Sequence, residues 1–321
     1  MVKEMNSLKG SDILSTKVLT RTNIEKILDT AKSMEVILNS ATSAKLLEGK
    51  IMGSLFFQSS TRTRLSFESA MHRLGGSVIG FADPRTSRSY GPRAETLEDT
   101  IRVIERYCDV IVLRHPENGA AQRAANIARV PILNGGDGTN EHPTQALLDT
   151  HTIWREKGKL DGLTVGLVGD LRSTRAMHSL AYALGKFDLK LLLISPPQLS
   201  LPTEIKDYLS ENPAEFEEFT DIEDAISLLD VMYVTRVNKE GAKNEEEYNK
   251  LLKIYPRITL DLVKRGKPDL IVMHDLPRTD ELGLQIAAEV DETPQAKYFD
   301  EVEYGVATRM ALLALTLGAL E

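Results

Sequence analysis

Short apolar runs and helical patterns alternate along this chain, and that alternation restricts its fold more than any other feature. Eight runs read as strands: residues 51–57, 78–81, 109–113, 130–134, 163–168, 189–194, 230–234 and 270–273. Each is short and rich in aliphatic residues, which suits a strand better than a helix. Between them, apolar residues recur at helical spacing. Phe67, Ala70, Met71 and Leu74 fall at i, i+3, i+4 and i+7, and Gly75-Gly76 stops the run. Ile24, Ile27, Leu28, Ala31, Met34 and Ile37 mark a longer helix over 23–44. Strand and helix in repeated alternation bury their faces as α/β layers with mostly parallel sheets. At 321 residues, about two such domains are expected. The predicted fold is two doubly wound, parallel-sheet α/β domains with a cleft between them, closed by an apolar C-terminal helix from residue 307 to 320. The expected boundaries are 1–145 and 146–304, with 305–321 packing back on the first domain and 135–157 as the connection.

In folds of this kind, ligands bind beyond the carboxyl ends of the strands. Polar residues gather at those places: residues 60–63, Arg114, His142, Arg175, Arg236 and Leu276. The richest stretch is Phe56-Phe57-Gln58-Ser59-Ser60-Thr61-Arg62-Thr63-Arg64. Ser59 or Ser60 is the expected N-cap of the helix that follows. The helix dipole and its free N–H groups favour an anion there. Two arginines and four hydroxyls from Ser59 to Arg64 point to a phosphate rather than a bare carboxylate. The plainer alternative is an ordinary cap beside surface arginines.

His142 follows the turn-forming stretch Gly135-Gly136-Asp137-Gly138-Thr139-Asn140 and precedes Pro143, which fits helix position N1. His142 and Gln145 therefore stand at a helix mouth. The histidine is either a ligand-facing group or a satisfied structural one. Residues 82–95, with Arg85, Arg88 and Arg93, read as a long basic loop, either functional or merely exposed. Residues 204–228 read as acidic and helical, with Glu211, Glu215, Glu217 and Glu218 on a solvated face. Residues 239–250 read as a second polar loop.

Composition removes several function classes. The net charge of −8 argues against general nucleic-acid binding, so an anionic substrate would need a local basic pocket. Cys108 is the single cysteine, which excludes an internal disulfide framework; it reads as a buried core thiol. No apolar run approaches the ~18 residues of a membrane span, and no signal-peptide core opens the sequence, so a cytoplasmic location and no membrane partner are expected. Gly166-Leu167-Val168-Gly169-Asp170 follows a strand but lacks the third glycine of a dinucleotide turn, and Asp170 would repel a pyrophosphate. The six histidines are scattered, with no Cys-x-x-Cys or His-Glu-x-x-His, so neither a metal nor a cofactor is expected.

Several motifs in fixed order then carry a resemblance. Ser60-Thr61-Arg62-Thr63-Arg64, Arg114-His115-Pro116, His142-Pro143-Thr144-Gln145 and the Leu276-Pro277 exit resemble the aspartate/ornithine carbamoyltransferase family over essentially the whole chain. Its aspartate branch is favoured by Gly136-Asp137-Gly138-Thr139-Asn140, Val168-Gly169-Asp170 and Thr235-Arg236-Val237. The resemblance implies transfer of a carbamoyl group from carbamoyl phosphate to the amino group of L-aspartate. The products would be N-carbamoyl-L-aspartate and phosphate, an early step of pyrimidine synthesis. It implies no cofactor, and homotrimers whose active sites lie at subunit boundaries. By resemblance Ser60, Thr61, Arg62 and Thr63 hold the phosphate, Thr63, Arg114 and His142 bond the carbamoyl oxygen, and Gln145 bonds the carbamoyl amide. Arg175 would take the α-carboxylate of aspartate and Arg236 the β-carboxylate, with the Leu276 carbonyl orienting the amine. Ser89 and a basic residue of its loop would reach a neighbouring subunit's site.

The departures from the family pattern fall on the acceptor and closure side. Arg93 and Ala94 replace a lysine and a glycine, and Asn238 replaces a glutamine. Asp275 stands in His274-Asp275-Leu276-Pro277 where the family has a proline. Gln58 replaces a glutamate, and Gly241 replaces an arginine; by resemblance those two groups help hold the domains closed. The alternatives are a carbamoyltransferase for another amino acid or amine, with Asp275 pairing a cationic group, or a catalytically weak paralogue kept as a binding or assembly subunit. A regulatory chain and assembly beyond the trimer are left open.

Overall fold

The computed structural model describes residues 5, 7–40, 44–89, 91, 93–239, 242–255, 257–278 and 285–320. The chain divides into two compact units. One comprises Met1–His151 with Val302–Glu321, and the other comprises Thr152–Glu301.

The first unit opens with α1 (Arg21–Leu38), started by a reciprocal capping box between Thr20 and Asn23. The chain then runs β1 (Ile51–Phe56), α2 (Arg62–Arg73), β2 (Ser77–Phe81), α3 (Leu97–Ile104), β3 (Val110–His115), α4 (Ala120–Ala125) and β4 (Ile132–Asp137). α5 (Pro143–Lys157) leads into the second unit. The four strands pair in the order β2-β1-β3-β4, all parallel. Leu55, Leu97, Ile101, Ile111, Leu113 and Ile132 form a buried cluster on this sheet.

The second unit contains β5 (Thr164–Val168), α6 (Arg175–Leu184), β6 (Lys190–Ile194), α7 (Thr203–Ser210), β7 (Glu215–Phe219), β8 (Val231–Val234), α8 (Glu245–Ile254), α9 (Leu260–Lys264) and β9 (Ile271–His274). Its strands pair in the order β7-β6-β5-β8-β9, again all parallel. Val168, Leu192, Met232, Val234, Val272 and Tyr298 belong to its core. α10 (Asp300–Thr316) returns the chain to the first unit. There the Arg309 guanidinium lies 5.2 Å from the Phe67 ring centre, and Gly10 N–H donates to the Thr316 carbonyl at 2.9 Å.

The predicted α/β class and its parallel sheets are present, and several local readings change. Residues 215–219, expected to be helical, form edge strand β7. Their glutamates are solvated, as expected, and Lys190 and Lys206 pair with Glu217 and Glu218. Charge along an edge strand hides it among helix-like acidic patterns while discouraging edge-to-edge pairing. The polar segment read as a second loop contains the start of α8, capped by Asn244 and led by Glu245, Glu246 and Glu247, which suit a helix N-terminus. Gly135, Gly136 and Asp137 belong to β4 rather than to a turn. α1 ends at Leu38, and residues 41–43 lie outside the described residues. Val103, an apolar residue of α3, is exposed. Cys108 is half-buried against the first unit's core rather than sealed within it.

Candidate active site

Strand order decides where each unit can bind. In the first sheet β2 lies to one side of β1 and β3 to the other, so consecutive connections leave β1 and β3 in opposite directions. A crevice opens at such a reversal, beyond the carboxyl ends of those two strands. Phe56 and Arg114 are register partners there, and Phe57 N–H donates to the Arg114 carbonyl at 2.9 Å. The hydroxyl-rich turn after β1 and the end of β3 are therefore neighbours.

The turn differs from its expectation in one respect. The N-cap of α2 is Thr61, in helical conformation, rather than Ser59 or Ser60, and it makes no side-chain capping bond. The helix is held instead by its apolar face, with Phe67, Ala70 and Met71 buried. The first-turn N–H groups are thus not consumed by a cap, which suits an anion site. The Ser66 hydroxyl folds back onto the Arg62 carbonyl at 2.5 Å and the Thr63 carbonyl at 3.1 Å.

Thr63, on the first turn of α2, is 4% exposed, and its Oγ1 lies 3.2 Å from His142 Nε2. Arg114 Nη1 donates to the Gly135 carbonyl at 3.1 Å and lies 3.4 Å from the same His142 nitrogen. On the other side of the ring, Nδ1 lies 3.4 Å from Thr144 Oγ1. A Cβ on Gly135 would sit 3.3 Å from the Leu113 carbonyl, a tight contact, and 3.5 Å from Thr63 Cγ2, an ordinary one. Gln145, one turn along α5, donates to the buried Asp149 at 2.9 Å.

The turn carrying His142 is braced by Asp137, which is buried. Its carboxylate accepts from Gly119 N–H at 2.7 Å, Asn134 Nδ2 at 2.9 Å and Asn140 Nδ2 at 3.1 Å. Sequence reasoning missed Asp137 and Asp149 as supports. The i, i+4 spacing of Gln145 and Asp149 on a predicted helix was the available signal. Ser89 belongs to another network: its hydroxyl lies 3.0 Å from Thr100 Oγ1, which donates to Glu95 at 2.8 Å. Arg93 is exposed in the same loop.

The second sheet reverses between β5 and β8. Gly169, just past β5, has φ 119°, and a Cβ there would lie 2.5 Å from the Tyr255 hydroxyl and 2.6 Å from the Thr235 carbonyl. Glycine is required at that turn. Asp170 is fully buried and accepts from Ser173 N–H at 3.0 Å, Ser173 Oγ at 2.5 Å and Asn238 N–H at 3.0 Å. The Asn238 side chain donates to the Ser173 carbonyl at 3.0 Å. Asp170 and Asn238 thus tie the β5 exit to the β8 exit, and the Asn238 amide is used in bracing. Arg175 opens α6, and Arg236 follows β8.

After β9, Leu276 has φ 45°, the left-handed region, which costs a side-chain-bearing residue about 1–2 kcal/mol. Its N–H donates to His274 Nδ1 at 2.8 Å, and its bond to Pro277 is cis. Asp275 Oδ1 accepts from the Thr235 hydroxyl at 3.0 Å, and Oδ2 lies 3.7 Å from Arg236 Nη1. The Tyr255 hydroxyl is buried, and burial followed by the Asp275 and Asp170 charges holds its pKa well above the usual 10.0, so it stays protonated. Gln58 is half-buried. Gly241, the other closure-side departure, lies outside the described residues.

Fold and site together define an α/β enzyme-like chain of two parallel-sheet units, each with arginines at a strand-order reversal. Its family is shown by comparison with known proteins. Residues 11–156 match the aspartate/ornithine carbamoyltransferase carbamoyl-P binding domain, and residues 161–316 match the Asp/Orn binding domain of the same family. The chain belongs to the aspartate/ornithine carbamoyltransferase family. It is 51% identical over 312 residues to the aspartate carbamoyltransferase catalytic subunit of Thermococcus kodakarensis, covering 97% of this chain and 98% of the relative. It is 47% identical over 315 residues to that subunit of Methanopyrus kandleri, covering 98% and 99%. Among solved structures, it is similar to aspartate transcarbamoylase from Trypanosoma cruzi in complex with carbamoyl phosphate and aspartate. That likeness has a TM-score of 0.88 and 36% identity, and covers 98% of each chain.

Proposed function

We propose that this protein transfers the carbamoyl group of carbamoyl phosphate to the amino group of L-aspartate, releasing phosphate and N-carbamoyl-L-aspartate. The supporting observation is the convergence of Thr63, Arg114 and His142 beside a helix N-terminus that no side chain caps among the described residues. Such a site takes a phosphate at the helix end and a polarised carbonyl beside it.

In this reading Ser60, Thr61, Arg62 and Thr63 hold the phosphate in the first unit. Thr63, Arg114 and His142 surround the carbamoyl oxygen. As the neutral amine attacks, a C–N bond forms, the bond from the carbamoyl carbon to the bridging oxygen breaks, and phosphate leaves with that electron pair and takes up the proton that the amine nitrogen sheds. The oxygen becomes more negative on the way, so donors aimed at it act most strongly in the transition state. Gln145, steadied by Asp149, takes the carbamoyl NH2 through its carbonyl oxygen, because its amide nitrogen already donates to Asp149. Arg175 and Arg236 hold the two acceptor carboxylates, and the left-handed Leu276 presents its carbonyl to the amine. The acyl phosphate is already activated and the amine is itself the nucleophile, so positioning supplies much of the rate, up to ~7–11 kcal/mol in favourable cases.

The proposal includes a cytoplasmic homotrimer serving pyrimidine synthesis, with Ser89 and Arg93 completing a neighbouring subunit's site. A colorimetric ureido assay with carbamoyl phosphate and a panel of amines tests it. Turnover with aspartate and with no other acceptor is the expected result. Preference for a different amine would move the acceptor assignment, a reading favoured by the carboxylate of Asp275 beside Arg236. Binding of carbamoyl phosphate without turnover of any amine would identify a non-catalytic paralogue.

A further inference from the structure

We propose that Asp275 is a specificity-determining residue, an internal carboxylate that partly neutralises Arg236 and shares it with an acceptor's side-chain carboxylate. The inference deepens the reading in which Arg236 binds that carboxylate, and it rests on it.

The backbone places the two groups together. β8 and β9 run parallel, with Val234 and His274 as register partners at their carboxyl ends. The next residues on each strand, Thr235 and Asp275, therefore leave the sheet side by side. The Thr235 hydroxyl donates to Asp275 Oδ1 at 3.0 Å. This bond fixes the carboxylate's orientation and directs the other oxygen to Arg236 Nη1, at 3.7 Å. Both side chains are partly shielded from water, Asp275 at 12% exposure and Arg236 at 31%.

His274 does not compete for this role. Its Nδ1 lies 3.5 Å from Asp275 Oδ1. That nitrogen already accepts the Leu276 N–H at 2.8 Å, so it carries no proton to share with the carboxylate. Arg236 is thus the cation that Asp275 faces.

A separation of 3.7 Å exceeds that of a charge-assisted hydrogen bond. The pair is held at Coulombic rather than bonding distance. The guanidinium is oriented by a negative partner yet keeps donors for a second carboxylate. An incoming acceptor would then meet a cation already partly neutralised, and two carboxylates would share one guanidinium. Their repulsion weakens the ground-state binding of a dicarboxylate acceptor. It weighs less on an acceptor whose side chain is a neutral amide, so the residue narrows the preference for aspartate over uncharged analogues.

Asp275→Asn removes the charge and keeps an oxygen for the Thr235 hydroxyl. The expected result is a KM for aspartate lower by about three- to tenfold, with the change falling on KM rather than kcat. Succinate, a dicarboxylate without the amine, should bind more tightly by the same factor in calorimetry with carbamoyl phosphate present. Asparagine, tested as an acceptor or competitor, should gain less. Carbamoyl phosphate affinity is the control for the other substrate site. Should Asp275→Asn leave the aspartate KM and succinate affinity unchanged, or weaken them, the proposal is overturned. The same holds if only kcat and the melting temperature move, since that marks a structural role. If the unaltered protein fails to carbamoylate aspartate, the functional reading fails separately, and the succinate titration alone decides: tighter binding in the variant supports Asp275, and equal or absent binding overturns it.

Discussion

Thr63 is the residue through which the first site is assembled. Its backbone belongs to α2 and its hydroxyl faces His142. Thr63→Val keeps the bulk and removes the donor, and kcat should fall about 100-fold or more, measured by steady-state kinetics with saturating aspartate. Arg62→Ala removes a charge-assisted phosphate contact in the proposed site, and calorimetry should show carbamoyl phosphate affinity about 10- to 100-fold weaker. His115, in the same strand end as Arg114, makes a separate point. Burial, outweighing the raising effect of Glu117, lowers its pKa from the ordinary 6.5, and its Nδ1 accepts Glu117 N–H at 3.1 Å. The folded state therefore prefers the neutral ring. Its contribution is fully present above the unfolded pKa of about 6.5 and is lost as pH falls through the lowered folded value. Urea denaturation from pH 7.5 to 5 should show a shallower loss of stability in His115→Gln than in the unaltered protein. Cys108 is held up to about 11, chiefly by burial, with the charges of Asp109 and Glu105 adding to it.

At the level of elements, the decisive feature is how β5 ends. Gly169 has no room for a Cβ between the Tyr255 hydroxyl and the Thr235 carbonyl, and its φ of 119° excludes other residues without strain. Gly169→Ala should destabilise the protein by about 1–3 kcal/mol and disturb the Asp170–Asn238 brace, seen as a lower melting temperature together with a raised aspartate KM. α2 and β3 were legible because a 3.6-residue apolar pattern and an aliphatic run each have one structural solution. β7 was not. Phe216 and Phe219 are three residues apart among glutamates, a spacing that mimics a helix, and pairing with β6 overrides it. The capping of α2 was misread for a similar reason. Ser59 and Ser60 satisfy the local rule for an N-cap, whereas the backbone enters the helix at Thr61, which makes no side-chain capping bond.

At the scale of the whole molecule, the C-terminal segment belongs to the first unit although the second intervenes in sequence. Ala307, Met310, Ala311 and Leu313 are fully buried, and the Arg309 guanidinium covers Phe67 on the helix that carries the proposed phosphate-binding turn. Deleting residues 302–321 should therefore unfold the first unit rather than trim it, with loss of near-ultraviolet circular dichroism and of carbamoyl phosphate binding. The proposed shared site predicts complementation. Arg93→Ala and Arg62→Ala chains, each weak alone, should regain activity when mixed into hybrid trimers, because some sites then receive both intact parts. Mixed trimers without any recovery would count against a loop borrowed between subunits.

The α/β class and the residues at the strand ends were determined by sequence alone, because aliphatic runs, helical periodicity and clustered arginines and hydroxyls are local in the chain. The tertiary structure decided which of those strand ends are adjacent, since strand order depends on pairing between segments far apart in sequence. It also decided which polar groups brace the strand-end turns. Asp137, Asp149 and Asp170 are ordinary acidic residues in the sequence. Their burial and their bonds to distant backbone amides and side chains make them braces, and those partners exist only once the chain is folded.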